Sequence, residues 1–138
     1  MQLSDFIGTW TLTRRIDDRR TGTAGSFTGR AVFRPEGAEL AYREEGVLRL
    51  GPGPGFTASR AYRWQAVAGG IAVLFEDGRF FHALALDDAP RAEAGHDCGA
   101  DRYAVRYDFR DWPDWRAVWE VRGPRKDYRM ESLYSRAD

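Results

Sequence analysis

Seven polar side chains in this sequence alternate with apolar ones so that all would face one interior, provided their segments are strands. Arg14 follows Trp10 and Leu12 at a spacing of two, and Glu44 follows Leu40 and Tyr42. Arg60 leads into Tyr62 and Trp64, Tyr103 and Tyr107 flank Val105, and Tyr134 follows Ser132. Successive strand side chains point to opposite faces. A parity that turns Trp10 inward therefore turns Arg14, Glu44, Arg60, Tyr62, Tyr103, Tyr107 and Tyr134 inward too. A lone buried guanidinium is costly unless it is paired. Two inward arginines against one inward glutamate leave a positive charge over. Two readings stand: a structural ion-pair network, with a register slip that turns one arginine outward as its variant, or a pocket for an anionic head group. In the second, arginine and the tyrosine hydroxyls meet the anion and aromatic walls meet the apolar remainder.

His82 alternates with Phe80 and Leu84, but Phe81 and Ala83 could equally face inward, so its parity is open. It reads as a satisfied core histidine, a ligand contact, a general base or an axial haem ligand. His96, Asp97, Cys98 and Asp101 place metal-capable side chains within six residues. Zinc needs a fuller set at a recognised spacing, and His82 is the one other histidine. The expectation is a loop with His96 and Cys98 tucked under a rim and Asp101 bonding backbone amides, with no metal and no cofactor. Cys98 lacks a third group that would orient His96 as a base. The carboxylate pairs Glu44-Glu45 and Asp87-Asp88 point to opposite faces of any strand and cannot act jointly. No dinucleotide fingerprint, Walker loop or nucleophile elbow is present. The glycine-rich Gly51 to Gly55 contains two prolines without amide donors and makes a poor phosphate cradle.

The elements that must carry these residues are strands. A single helical turn is expected at Leu3 to Ile7, capped by Ser4. Beyond it, alternation of period two dominates, and aromatic residues, 14% of the chain, favour sheet. Trp10 to Ile16 and Phe27 to Phe33 form the first two strands, and Leu40 to Leu48 the third. Arg60 to Trp64, Ile71 to Phe75 and Arg79 to Leu86 follow, the last two flanked by turn signals at Gly69-Gly70 and Asp77-Gly78. Asp87 to Asp101 reads as the longest irregular segment. Tyr103 to Phe109, Trp115 to Val121 and Tyr128 to Arg136 complete about nine strands, separated by turns at Trp112-Pro113-Asp114 and Gly123-Pro124. Nine strands joined by tight turns make an up-and-down meander. To hide its edges such a meander closes into a barrel of about eight to ten strands, wide enough for one small ligand.

Gly8-Thr9-Trp10, placed after a short turn and on the first strand, resembles the G-x-W opening of lipocalins and related calycin barrels. That resemblance implies that Trp10 plugs the closed end and that an arginine of the last strand, Arg136, lies across its ring. The whole chain also resembles a group of lipocalin-like bacterial domains of unknown function. The likeness is carried by Gly8-Thr9-Trp10, by Asp77-Gly78-Arg79-Phe80-Phe81-His82, by His96-Asp97-Cys98 with Asp101-Arg102-Tyr103, and by Gly123-Pro124-Arg125-Lys126-Asp127-Tyr128. It implies no particular activity. The disulfides and secretion signal of extracellular lipocalins are missing.

Charge and composition bound the rest. The 138 residues fit one domain spanning 1–138. Twenty-one basic and twenty-one acidic groups cancel, which argues against a nucleic-acid partner. Of the basic residues only Lys126 is not arginine, a bias that fits a GC-rich genome as well as a functional need for guanidinium forks. One cysteine forms no internal disulfide, the amino terminus lacks the basic and apolar run of a signal peptide, and no apolar stretch is long enough to cross a membrane. The expectation is a cytoplasmic barrel without a membrane or nucleic-acid partner. It binds a small anionic ligand through Arg14, Glu44, Arg60, Tyr62, His82, Tyr103, Tyr107 and Tyr134. The alternatives are an enzyme using His82 and a tyrosine as acid and base, or a filled barrel with a structural or interaction role.

Overall fold

Alternation becomes burial strand by strand. In β1 (Gly8–Asp18), Trp10, Leu12 and Arg14 are buried, whereas Thr11, Thr13 and Arg15 between them are exposed. The computed structural model describes residues 1–86 and 90–137. It continues with β2 (Thr23–Glu36), β3 (Glu39–Leu50), β4 (Phe56–Val67), β5 (Gly70–Phe75), β6 (Phe80–Ala85), β7 (Arg91–Cys98), β8 (Asp101–Asp108), β9 (Trp115–Gly123) and β10 (Lys126–Arg136). A single 3-10 turn, Leu3–Phe6, precedes them; its side-chain cap comes from Gln2 and Asp5 rather than from Ser4. No helix among the described residues is long and apolar enough to cross a membrane.

All ten strands belong to one antiparallel sheet in the order β6-β5-β4-β3-β2-β1-β10-β9-β8-β7. Each strand pairs with its sequence neighbours except at β6 and β7, and β1 pairs with β10, so the meander rolls up into a nearly closed barrel. β6 and β7 face each other at the seam, with no ladder between them among the described residues. Aromatic contact bridges them instead: Phe81 of β6 meets His96 of β7 edge to face at 5.2 Å. The hairpins turn where the sequence places them. Gly69 and Gly78 adopt φ of 76° and 91°, a backbone open to glycine at no steric cost. Across β2 and β3, Gly29 stands opposite Gly46. A Cβ on Gly29 would come within 2.0 Å of the Glu45 carbonyl oxygen, so the two backbones approach too closely there for any side chain.

One element departs from expectation. Arg91–Cys98, placed inside an irregular segment by its sequence, is strand β7 and pairs with β8 from Arg91 opposite Asp108 to Cys98 opposite Asp101. Its run of alanine, glutamate and glycine has little strand propensity. The aromatic strand beside it imposes the conformation. Asp87-Asp88, also read as part of that segment, lie outside the described residues.

The core fills the end of the barrel where the 3-10 turn sits. Phe6, Trp10, Phe33, Trp64 and Trp115 pack there, each 3% exposed or less. Trp10 Nε1 donates to the Phe6 carbonyl at 2.9 Å. The Arg136 Cζ lies 3.9 Å from the centre of the Trp10 ring, and its two terminal nitrogens donate to the carbonyls of Ile7 and Asp5 at 2.7 and 2.5 Å. Every strand that starts at this plug ends at the opposite rim, where the β1–β2, β3–β4, β5–β6, β7–β8 and β9–β10 turns gather.

Candidate functional site

Five adjacent strands bring polar groups together at the middle of the barrel through their register. Glu44 on β3 stands opposite Arg60 on β4 and opposite Ala31 on β2, and Arg14 on β1 stands opposite Ser132 on β10. On β2, Arg14 stands opposite Phe27, and its guanidinium passes over that ring at 5.3 Å to reach Glu44. Arg14 donates to both Glu44 carboxylate oxygens, at 2.6 and 3.1 Å, and its Nε donates to the Ser132 hydroxyl at 2.7 Å. Tyr42 donates to the same carboxylate at 2.7 Å and is itself 2.9 Å from the Tyr134 hydroxyl. Arg14, Glu44, Tyr42 and Tyr134 are all buried. Burial opposes both charges, but the mutual hydrogen bonds and fields outweigh it. The guanidinium is held more strongly protonated than usual, and the Glu44 carboxyl lies below the ordinary carboxylate range. Tyr134 is pushed up to about 12 by burial and then by the Glu44 charge.

Arg60 is placed differently. Its Nε is 3.6 Å from Glu44, beyond hydrogen-bond length, and its side chain is 44% exposed. Glu44 already accepts three shorter bonds, so Arg60 pairs with the carboxylate by charge and without a hydrogen bond. The arginine stands where two spaces meet. A cavity of about 510 Å³ reaches inward from it past Tyr62 to Trp64, Trp115 and His82. A second space of about 580 Å³ runs to the rim between Ile16, Phe27, Leu48 and Met130. Arg14, Glu44, Arg60, Tyr128 and Met130 line both. The barrel interior is therefore divided by the ion-pair cluster and is not filled.

His82 resolves its open parity through a bulge. Leu74 pairs with Phe80 and Val73 with His82, so Phe81 is an extra residue on β6. A bulge breaks the alternation, and Phe81 and His82 both turn inward. His82 Nε2 lies 3.0 Å from the Tyr107 hydroxyl. Burial, with a smaller contribution from the charge of His96, brings the imidazole down to about 4. Burial drives the Tyr107 phenol well above its ordinary value. Both groups are therefore neutral at pH 7. His82 Nδ1 has no hydrogen-bond partner among the described residues, and the same is true of Nε1 of Trp64 and Trp115. An unpartnered buried donor costs about 1–3 kcal/mol.

The eight residues singled out from sequence all line the inner cavity, though in different ways. Tyr62 stacks on Phe81 at 5.9 Å, and the Tyr103 hydroxyl accepts from Lys126 Nζ at 3.1 Å near the rim. Sequence reasoning passed over Tyr42, Trp64 and Tyr128, although each shares a strand face with a residue it chose. It also missed Trp119, Phe81 and His96 as cavity walls. His96 was hidden in the segment read as irregular. Cys98 is exposed at the mouth and is not tucked beneath the rim. Asp101 carries no side-chain bond to a backbone amide among the described residues; its carboxylate instead pairs with Lys126 Nζ at 3.2 Å.

A ten-strand meander, plugged at one end by a buried tryptophan under an arginine and hollow at the other, defines a lipocalin-like calycin barrel. Within that class the chain belongs to a family of unknown function, DUF6314, whose profile matches residues 6–136. A search of curated proteins finds no match. Among solved structures the barrel is similar to the S-type phycobiliprotein lyase CPES from Guillardia theta. The TM-score is 0.67 at 8% identity, over 99% of this chain and 90% of that one. At that identity the likeness is one of fold.

Proposed function

We propose that this barrel is a binding protein for a small, partly apolar carboxylate or similar anion, held in the inner cavity with its charged group at Arg60. The observation that carries the reading is the position of Arg60: a guanidinium facing an open cavity, beside a carboxylate to which Arg14 and Tyr42 donate the hydrogen bonds and Arg60 donates none. Arg14 is committed to Glu44 and Ser132 and so acts as a support, orienting Glu44 and leaving Arg60 to receive the ligand. A guanidinium donating two parallel bonds matches a carboxylate in geometry as well as charge. Aromatic walls at Tyr62, Phe75, Phe81 and Trp119 suit the apolar part. The structural neighbour is by name a lyase for phycobiliproteins, which accords with a barrel of this kind taking part in small-molecule chemistry.

Titration with fatty acids and aromatic carboxylates, followed by tryptophan fluorescence, tests the reading. Arg60→Met should weaken binding by roughly 10- to 100-fold, the worth of a charge-assisted hydrogen bond. Binding unchanged in that variant would overturn the proposal.

A further inference from the structure

The inner cavity is lined by buried hydrogen-bond donors that meet no acceptor among the described residues. Trp64 Nε1 and Trp115 Nε1 are obligate donors, and neither meets an acceptor among the described residues. His82 is made a third donor by its neighbour. Tyr107 keeps its phenolic proton and the imidazole is neutral. The phenol, the better acid, donates to Nε2, which leaves the ring proton on the unpartnered Nδ1. All three residues line the cavity, and none is more than 3% exposed. Two further buried hydroxyls there are already engaged: Tyr134 bonds Tyr42, and Tyr42 bonds Glu44.

Distance and shape narrow the occupant further. Arg60 and Trp64 lie four residues apart on one face of β4, about 13 Å along the strand. Aromatic rings also border the cavity, where Phe81 stacks on Phe75 at 4.5 Å and on Trp119 at 5.3 Å, with interplanar angles of 17° and 16°. Resting on the binding function proposed above, we infer that the ligand is a planar, unsaturated ring acid. Its carboxylate meets Arg60, and its far end carries a carbonyl or ether oxygen that accepts from Trp64 or Trp115. A fatty acid would meet the arginine but leave the donors unmatched.

Two fused tricyclic probes, anthracene carboxylate and anthraquinone carboxylate with the acid at the same ring position, share shape and charge and differ in two carbonyl oxygens. Calorimetric titration should show the quinone acid binding about tenfold more tightly or better, the effect of satisfying one buried donor. In a nitrogen–proton correlation spectrum, indole signals assigned through Trp64→Phe and Trp115→Phe should move downfield with the quinone acid and not with its hydrocarbon analogue. Each variant should also narrow the preference between the two acids. Equal affinity for the two acids, or unmoved indole signals on binding the quinone acid, would overturn the inference and leave the binding function standing. Dodecanoate binding through Arg60 with neither tricycle bound would do the same. No binding by any of the three acids would overturn both.

Discussion

Replacing His82 by phenylalanine should remove a specific pH dependence of stability. In the folded barrel the imidazole titrates at about 4, against 6.5 for the free side chain, because burial and then the charge of His96 disfavour the imidazolium. A base whose pKa falls on folding binds fewer protons folded than unfolded between those two values, so stability drops as pH falls through that window. Each pKa unit corresponds to about 1.4 kcal/mol. From pH 7 to pH 5 the protein should therefore lose about 2 kcal/mol, and near pH 4 about 3 kcal/mol. The window from 7 to 5 isolates the histidine. The lowered carboxyls Glu44, Glu39 and Asp108 have unperturbed values of 4.5 or less, and their contribution is lost at lower pH. Urea unfolding at the two pH values, on the wild type and on His82→Phe, provides the assay. The wild-type loss should appear in thermal melts as a shift of about 7 °C for a chain of this size. The variant forfeits its bond to Tyr107 at both pH values, so that loss cancels in the comparison. Its own drop from pH 7 to pH 5 should be under about 0.5 kcal/mol. A variant that still lost most of the 2 kcal/mol would refute the assignment of the pH dependence to His82.

Three other outcomes are expected. Trp10→Ala should cost about 3–5 kcal/mol, because it empties a fully buried plug and strips Arg136 of its ring; a chemical-denaturation loss below one would contradict that role. Arg14→Met leaves the Glu44 carboxylate buried with the Tyr42 hydroxyl and only the half-exposed Arg60, 3.6 Å away, as counter-charge, and should cost about 3–5 kcal/mol. The Arg14→Met, Glu44→Leu pair should recover most of that loss, and equal instability of the single and double variants would show that the charge is not the cause. Cys98, exposed at the cavity mouth, should react with a maleimide several times more slowly when a bound carboxylate fills the cavity; identical rates would place the ligand elsewhere.

Much of the architecture was legible because alternation is a local property of a strand. Trp10, Leu12 and Arg14 on one face, or Tyr103, Val105 and Tyr107 on another, follow from spacing alone, and glycines at 69 and 78 mark turns by their own conformational freedom. Parity also selected a set of inward polar residues that does line one cavity. Strand β7 was not legible, since its alanines, glycine and charges carry no strand signal and only pairing with β8 holds them extended.

What the sequence by itself determined is the meander, its inward faces and the imbalance of charge between two arginines and one glutamate. Tertiary structure alone decided how that imbalance is resolved. Parity gives Arg14 and Arg60 the same inward standing, but register sets Glu44 within 2.6 Å of the first and 3.6 Å of the second. Register depends on which strands lie side by side, and so does the bulge at Phe81 that brings His82 inward beside Tyr107 from across the seam. A one-residue insertion in a ladder overrides any count made along a single strand. The unmatched donors of Trp64, Trp115 and His82 are likewise a property of assembly. Each residue alone is an ordinary aromatic on an inward face, and only the closing of β4, β6 and β9 around a common space deprives all three of acceptors.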